Sequence, residues 1–477
     1  MTTSIGFHTA EQSVFQSAFL EVLAEESAQP DGLEKSVFDS AGLGIKAEND
    51  VMQTLANVLD PHAKGGDDLF STMGVCVQYT LELAKAKAFK QEDEIERLQN
   101  ILTASMCDAI NWAKIATVAA GYYKLSGNKP VYRKPANNDD FVYPLPAGQD
   151  ETLTIGLIAD WGSGEKVAEL VFEEMCLHKP EAIIHLGDVY YSGTAKEQAE
   201  NFTDIVNRIR EDYPCALYNL PGNHDYYAGG AAFYDELPRL NQPPAAPAGT
   251  PQQEASFFCL RNDHWQIHGL DTGYHDHDYF KHAVDNTRKL LQGIGPDHET
   301  YLTDEELAWH QDKLNTKGNR RVIFLSHHQL FSAYGKIGKA YVNNHLREQF
   351  NDALQNEAID AWFWGHEHTL QVYKAGLEGL GKGRCIGYGA FPIFAQENPY
   401  EVEDESIGLH KVADDSGQRT ELLVDERSGV YEHGYVILKL RPPGQESKAI
   451  YYTVPGDGTV PEDGSEAIST EIFRETL

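Results

Sequence analysis

The stretch "LTIGLIADWGSG", Leu153 to Gly164, is a short apolar run that breaks at Asp160 into a polar, glycine-bearing turn. Four more stretches have the same form: "AIIHLGDVYYSG" (182–193), "CALYNLPGNHDYY" (215–227), "RVIFLSHHQLFS" (321–332) and "AWFWGHEH" (361–368). Runs of this length, rich in Ile, Val, Phe and Trp, read as buried strands. Between them, "EKVAELVFEEMCLHK" (165–179) and "DEELAWHQDKL" (304–314) read as helices. Alternating strands and helices predict an α/β domain over 151–455, and such folds gather their chemistry at the carboxyl ends of the strands. Every polar cluster here falls at that end.

Upstream the texture is different. Val14, Phe15, Ala18, Phe19, Val22 and Leu23 recur at helical spacing, as do Ile95, Leu98, Leu102, Met106 and Ala109, which predicts an all-α N-terminal domain over 1–125. Gly127 and Pro130 stop its last helix, and the Pro-, Asn- and Asp-rich segment 126–150 reads as a linker. Residues 456–477 read as a C-terminal tail. The Pro/Ala stretch "NQPPAAPAGTPQQ" (241–253) is a loop that either covers a site or connects two elements. "GYHDHDYFKHAVDN" (273–286), with His275, His277 and His282, and the acidic "EVEDESIGLHKVADDSG" (401–417) read as solvated insertions.

A chain of 477 residues exceeds one ordinary core, in keeping with two domains. With 39 basic and 73 acidic residues the net charge is −34, a field that repels nucleic acid and anionic membranes and leaves a small substrate, or one captured through bound cations, as the expected partner. The six cysteines are scattered without CxxC spacing and are expected to be buried free thiols. No run is long enough to span a bilayer, the N-terminus lacks a basic flank, and the chain reads as cytoplasmic.

The strand-end clusters supply Asp160, Asp188, Asn223, His327, His366 and His368. Singly, each has a bland reading, since an Asp after a strand is usually a turn residue and a His pair on a strand needs no purpose. Together they make two carboxylates, one amide and three imidazoles at one sheet edge, enough to hold two cations. Asp188 is the expected bridge, one oxygen on each of two metals about 3.5–4 Å apart. His185 lies inside an apolar run and reads as a core residue.

In these blocks the chain resembles the calcineurin-like metallophosphoesterases, and most of all their purple acid phosphatase-like branch, whose motifs are GDxG, GDxxY, GNH(D/E), VxxH and GHxH. Here they read "ADWG", "GDVYY", "GNHD", "FLSH" and "GHEH", with Ala159 and Phe324 as departures that remove no ligand. The resemblance extends over about 152–440 and implies a β-sandwich flanked by helices. Most of the superfamily has a metal-binding histidine where this chain has Gly162, and GDxxY offers Tyr191 in its place, with Tyr190 as the competing phenol. By resemblance, one metal takes Asp160, Asp188, Tyr191 and His368, and the other Asp188, Asn223, His327 and His366.

A phenol ionises near pKa of about 10, so a phenolate ligand calls for a strongly acidic cation. Fe(III) paired with Fe(II), Zn or Mn is expected, with a Mn/Mn pair as the choice under reducing conditions. The resemblance gives His224 the role of protonating the leaving alcohol, and His328 is a candidate for facing either substrate or the sheet. The implied function is binuclear-metal hydrolysis of small phosphomonoesters. A phosphodiesterase on cyclic nucleotides or phospholipid headgroups, and a non-catalytic scaffold of the same fold, are the alternatives. No GxSxG elbow is present, so no serine nucleophile is expected.

Overall fold

The computed structural model describes residues 128–277, 299–458 and 468–477 apart from a few positions, together with parts of 83–123. The chain divides into two compact units. The first contains helix α1 (Glu92–Leu102), on which Leu98 and Ile101 are buried. The expected helix around Val14–Leu23 lies outside the described residues, as do Met106 and Ala109 of the second apolar series.

The second unit, 128–279 with 297–477, carries both sheets. Its strands are β1 (Val142–Pro144), β2 (Leu153–Ile158), β3 (Ala182–His185), β4 (Ala216–Asn219), β5 (Phe258–Arg261), β6 (Trp265–Leu270), β7 (Arg321–Ser326), β8 (Ala361–Trp364), β9 (Leu370–Val372), β10 (Gly383–Ile386), β11 (His433–Leu440), β12 (Lys448–Val454) and β13 (Thr470–Thr476). One sheet has the order β1-β5-β6-β7-β8-β10-β9, the other β13-β12-β11-β2-β3-β4. The α/β expectation holds, with β2, β3 and β4 parallel in one sheet and β6, β7 and β8 parallel in the other.

The strands read as unbroken apolar runs because both of their faces are covered. Ile155, Leu157, Ala182, Ile184 and Tyr218 of the first set pack with Ile267, Ile323, Leu325 and Phe363 of the second in one cluster between the sheets. The alternate residues Ile158, Ile183 and Leu217 turn outward against helix α2 (Lys166–Leu177), whose Val167, Val171 and Met175 recur every four residues. On the far side, Val322, Phe324, Trp362 and Trp364 face Leu346, Phe350 and Leu354. Helix α3 (Asp204–Arg210) joins the first outer layer.

Two boundary expectations are corrected. The segment 456–477 is not only a tail: β13 pairs antiparallel with β12 and buries Ile472 and Phe473. Its Glu475 receives two hydrogen bonds from Arg384, at 2.7 and 2.6 Å, and one from Tyr451 at 2.7 Å. Likewise, the expected linker 126–150 contains β1, and Tyr143 and Leu145 are buried against the sandwich. Pro144 is tolerated because β1 is an edge strand.

The Pro/Ala loop pins an edge. Asn241 bonds the N–H of Leu217 at 2.8 Å and its carbonyl at 3.1 Å, and Gln253 does the same for Asn219 at 2.8 and 2.7 Å. Their amides stand in for the missing neighbour of edge strand β4, which blunts it. Cys176, Cys215, Cys259 and Cys385 are free and buried, as expected, while Cys76 and Cys107 lie outside the described residues. Among the described residues, no helix is long and apolar enough to cross a membrane.

Candidate metal centre

Both sheets deliver donors to one place. Asp160, Asp188 and Asn223 follow β2, β3 and β4, while His327 follows β7 and His366 and His368 follow β8. Ligand atoms of Asp160, Asp188 and His327 lie within 4.8 Å of one another. His327 Nε2 is 3.4 Å from Asp188 Oδ2 and 3.1 Å from Asn223 Oδ1, and His366 Nδ1 is 3.3 Å from His327 Nε2. On the other flank, His368 Nε2 is 3.5 Å from Asp160 Oδ1.

Neighbouring groups aim these donors. His327 Nδ1 donates to the Leu186 carbonyl at 2.9 Å, which leaves Nε2 with its lone pair toward the cluster. Asn223 sits on helix α4 (Asn223–Tyr227) and spends its amide N–H on Tyr227 Oη at 2.6 Å, so its oxygen is the atom presented. Asp225 accepts from the N–H groups of Gly222 and Asp188, at 2.8 and 3.0 Å, and holds the loop that carries Asp188.

Backbone strain gathers at the same atoms. Asp160, Asp188 and His366 have φ of +53°, +74° and +68°, in the left-handed region that costs a non-glycine residue energy and marks functional sites. Two glycines leave room for the carboxylates. A Cβ on Gly222 would lie 2.0 Å from Asp188 Oδ1, and one on Gly365 2.4 Å from Asp160 Oδ2.

The phenol is the point on which the geometry departs from the expectation. It is Tyr190, fully buried, whose hydroxyl lies 3.1 Å from His368 Nε2 and 3.4 Å from Asp160 Oδ1. Tyr191 serves through its backbone: its N–H donates to Glu197 Oε1 at 2.8 Å and its carbonyl accepts from His224 Nδ1 at 2.6 Å. Glu197 also takes the N–H groups of Ser192 and Thr194, at 3.2 and 2.9 Å, and so sets the turn of the loop. The Tyr190 ring packs against His224 and Phe391, with centroids 4.7 and 5.1 Å away.

The two histidines outside the ligand set part ways. His224, held by the Tyr191 carbonyl, keeps Nε2 4.0 Å from Asp188 Oδ2. His328 bonds Asp276 Oδ2 through Nε2 at 2.9 Å and Thr272 Oγ1 through Nδ1 at 3.1 Å. With both nitrogens engaged it is a poor fit to the substrate-facing role, and the Asp276 partner had no motif to reveal it. His185 bonds Asn219 within the core at 2.7 Å, and burial lowers its pKa to about 4. His275 and His277 bond the carbonyls of Tyr301 and Tyr274, and His282 lies outside the described residues.

The two carboxylates sit in different electrostatic surroundings. Burial pushes the Asp160 carboxyl up to about 7, against the pull of His327. Burial also disfavours ionised Asp188, but His327 and His224 outweigh it and hold that carboxyl well below the usual range. The Tyr190 phenol is driven far above its ordinary value by burial and by both carboxylates. Among the described residues, neither Asp160 nor Asp188 pairs with a lysine or arginine. Buried carboxylates persist when paired or when they coordinate metal, and this donor set of oxygen and imidazole fits a pair of cations.

Residues 153–370 match the family model of the calcineurin-like phosphoesterases. Among curated proteins, none matches the chain. Solved structures similar to it include a dimetal phosphatase from Danio rerio, at 14% identity and TM-score 0.41, covering 64% of this chain and 96% of that one. Another is a purple acid phosphatase from yellow lupin seeds, at 14% and 0.40, covering 70% and 54%. A third is GAP50, the anchor in the inner membrane complex of Plasmodium, at 12% and 0.40, covering 67% and 88%.

Proposed function

Because residues 153–370 form a calcineurin-like phosphoesterase unit, we propose that this protein is a binuclear-metal phosphoester hydrolase acting on small phosphomonoesters. The observation that carries this reading is the convergence of the buried Asp160, Asp188, Asn223 and His327 and the half-buried His366 and His368 from two sheets, with no lysine or arginine to neutralise either carboxylate among the described residues. Asp160, Asp188, Tyr190 and His368 would hold one cation, and Asp188, Asn223, His327 and His366 the other. Asp188 suits the bridge because its carboxylate lies within 4.8 Å of ligand atoms of both Asp160 and His327. The bound ions would supply Lewis acidity and lower the pKa of water from about 15.7 toward about 7.

The chain's own groups do the rest. The Tyr190 phenol would ionise only beside a strongly acidic ion, so Fe(III) is the ion proposed on its side, with Fe(II), Zn or Mn beside Asn223. His224 has its Nδ1–H fixed on the Tyr191 carbonyl, so Nε2 is the atom that handles the proton of the departing alcohol. Substrate choice is assigned to the segments 229–255 and 274–300, of which 278–298 lie outside the described residues.

The test is elemental analysis after metal-replete expression, with rates on phenyl phosphate and on bis(p-nitrophenyl) phosphate. Close to two transition-metal ions per chain and preference for the monoester are expected. Asp188→Ala should lose both the metal pair and hydrolysis while keeping its far-UV circular dichroism. A metal-free wild type, or an active Asp188→Ala protein, refutes the reading.

A further inference from the structure

The loop after β6 ties together ligands that come from different sheets. At one end, Asp271 accepts from Tyr226 Oη at 2.7 Å, and Tyr226 is on α4, three residues after Asn223. Asp271 is itself anchored, since its N–H donates to the buried Glu306 at 2.8 Å and its Oδ1 accepts from the Tyr274 N–H at 2.9 Å. Glu306 lies on helix α5 (Asp304–Asn315). At the other end, Asp276 Oδ2 meets His328 Nε2 at 2.9 Å.

Hydrogen-bond accounting fixes the His328 ring. Asp276 Oδ2 is a carboxylate oxygen and only accepts, so His328 Nε2–H donates to it at 2.9 Å. In the neutral ring Nδ1 is then the acceptor, and it takes the proton of Thr272 Oγ1, 3.1 Å away, while Oγ1 accepts the His328 backbone N–H at 2.9 Å. The ring lies across His366, with centroids 4.4 Å apart and planes at 40°, and edge-on to His327 at 4.8 Å. His366 is the residue whose backbone sits at φ +68°, a conformation that surrounding structure must enforce.

We propose that Asp276 and His328 are a positioning pair, and that the loop 271–276 is a brace which sets Asn223, through Tyr226 and Asp271, against His366, through His328 and Asp276. The proposal rests on the binuclear reading of the site. In it, the brace fixes the separation of donors from the two sheets before any cation binds, and His328 touches neither cation nor substrate.

Three variants and one measurement on the wild type test it. Asp276→Ala removes the acceptor and should lower metal retention against a chelator about 10–100-fold, the usual effect of losing a group that orients a ligand, with kcat falling more than KM. Asp276→Asn keeps an acceptor oxygen and should restore most of both. His328→Gln should behave as Asp276→Ala. In the metal-free wild type, the His328 Nε2–H should give a protected, downfield imidazole proton resonance.

Wild-type metal retention and kcat in Asp276→Ala would overturn the brace. So would a drop in its melting temperature with metal retention unchanged, because that is the signature of packing alone. If the wild type binds no metal, the hydrolase reading fails, and the imidazole resonance still decides the pair: its absence overturns Asp276–His328, and its presence in Asp276→Ala overturns it equally.

Discussion

Tyr190 and Tyr191 are adjacent in sequence and differ in what the loop asks of them. Motif register pointed to Tyr191, yet its N–H and carbonyl are committed to Glu197 and His224, while the Tyr190 hydroxyl lies among Asp160 and His368. In protein loaded with ferric iron and oxidised, Tyr190→Phe should bleach the phenolate-to-iron absorption band and weaken metal retention at least about tenfold. Tyr191→Phe should leave the band in place, because the backbone bonds survive the change. A visible spectrum of each variant decides between them, and bleaching by Tyr191→Phe alone restores the motif register. The convergence of the six other candidate positions was legible because each follows a strand end, where the chain has one short segment to place a donor. A pair of tyrosines in a loop was not, since which hydroxyl turns inward depends on Asp160 and His368, which lie 30 and 178 residues from Tyr190.

Among the elements, β13 shows what a sequence pattern leaves out. Its seven residues, "TEIFRET", follow an acidic, glycine-bearing stretch and read as tail, but β12 offers an open edge and Arg384 a buried guanidinium. Arg384 is 4% exposed and is met by both oxygens of Glu475, whose carboxyl stays below its ordinary range because the arginine outweighs burial. Removing one partner of a buried ion pair strands the other charge. Glu475→Gln should therefore cost about 3 kcal/mol, read from urea unfolding, and a loss below about 1 kcal/mol would place the pair in the class of exposed bridges. The parallel strands β2, β3, β7 and β8 were legible for the opposite reason. They are buried on both faces, so their apolar runs carry the signal by themselves.

At the scale of the whole molecule, the net charge of −34 would oppose the approach of the phosphoester proposed as substrate. Long-range repulsion is screened within a Debye length of about 8 Å at about 0.15 M salt, so kcat/KM for phenyl phosphate should rise as ionic strength increases from about 0.01 to about 0.15 M. A fall would mean that a positive local field at the metal centre dominates the encounter. What the sequence alone determined is the set of strand ends, the donors on them and the α/β class, because buried strands have a local apolar signature and a fixed place to carry polar groups. Only the tertiary structure decided which phenol lies beside Asp160 and His368, that the C-terminal stretch adds an edge strand to a sheet, and that Asp276 bonds His328. Those three depend on partners far along the chain, Asp276 being 52 residues from His328 and Arg384 being 91 from Glu475, and contacts at such separations are fixed by how the sheets pack and not by any short run of residues.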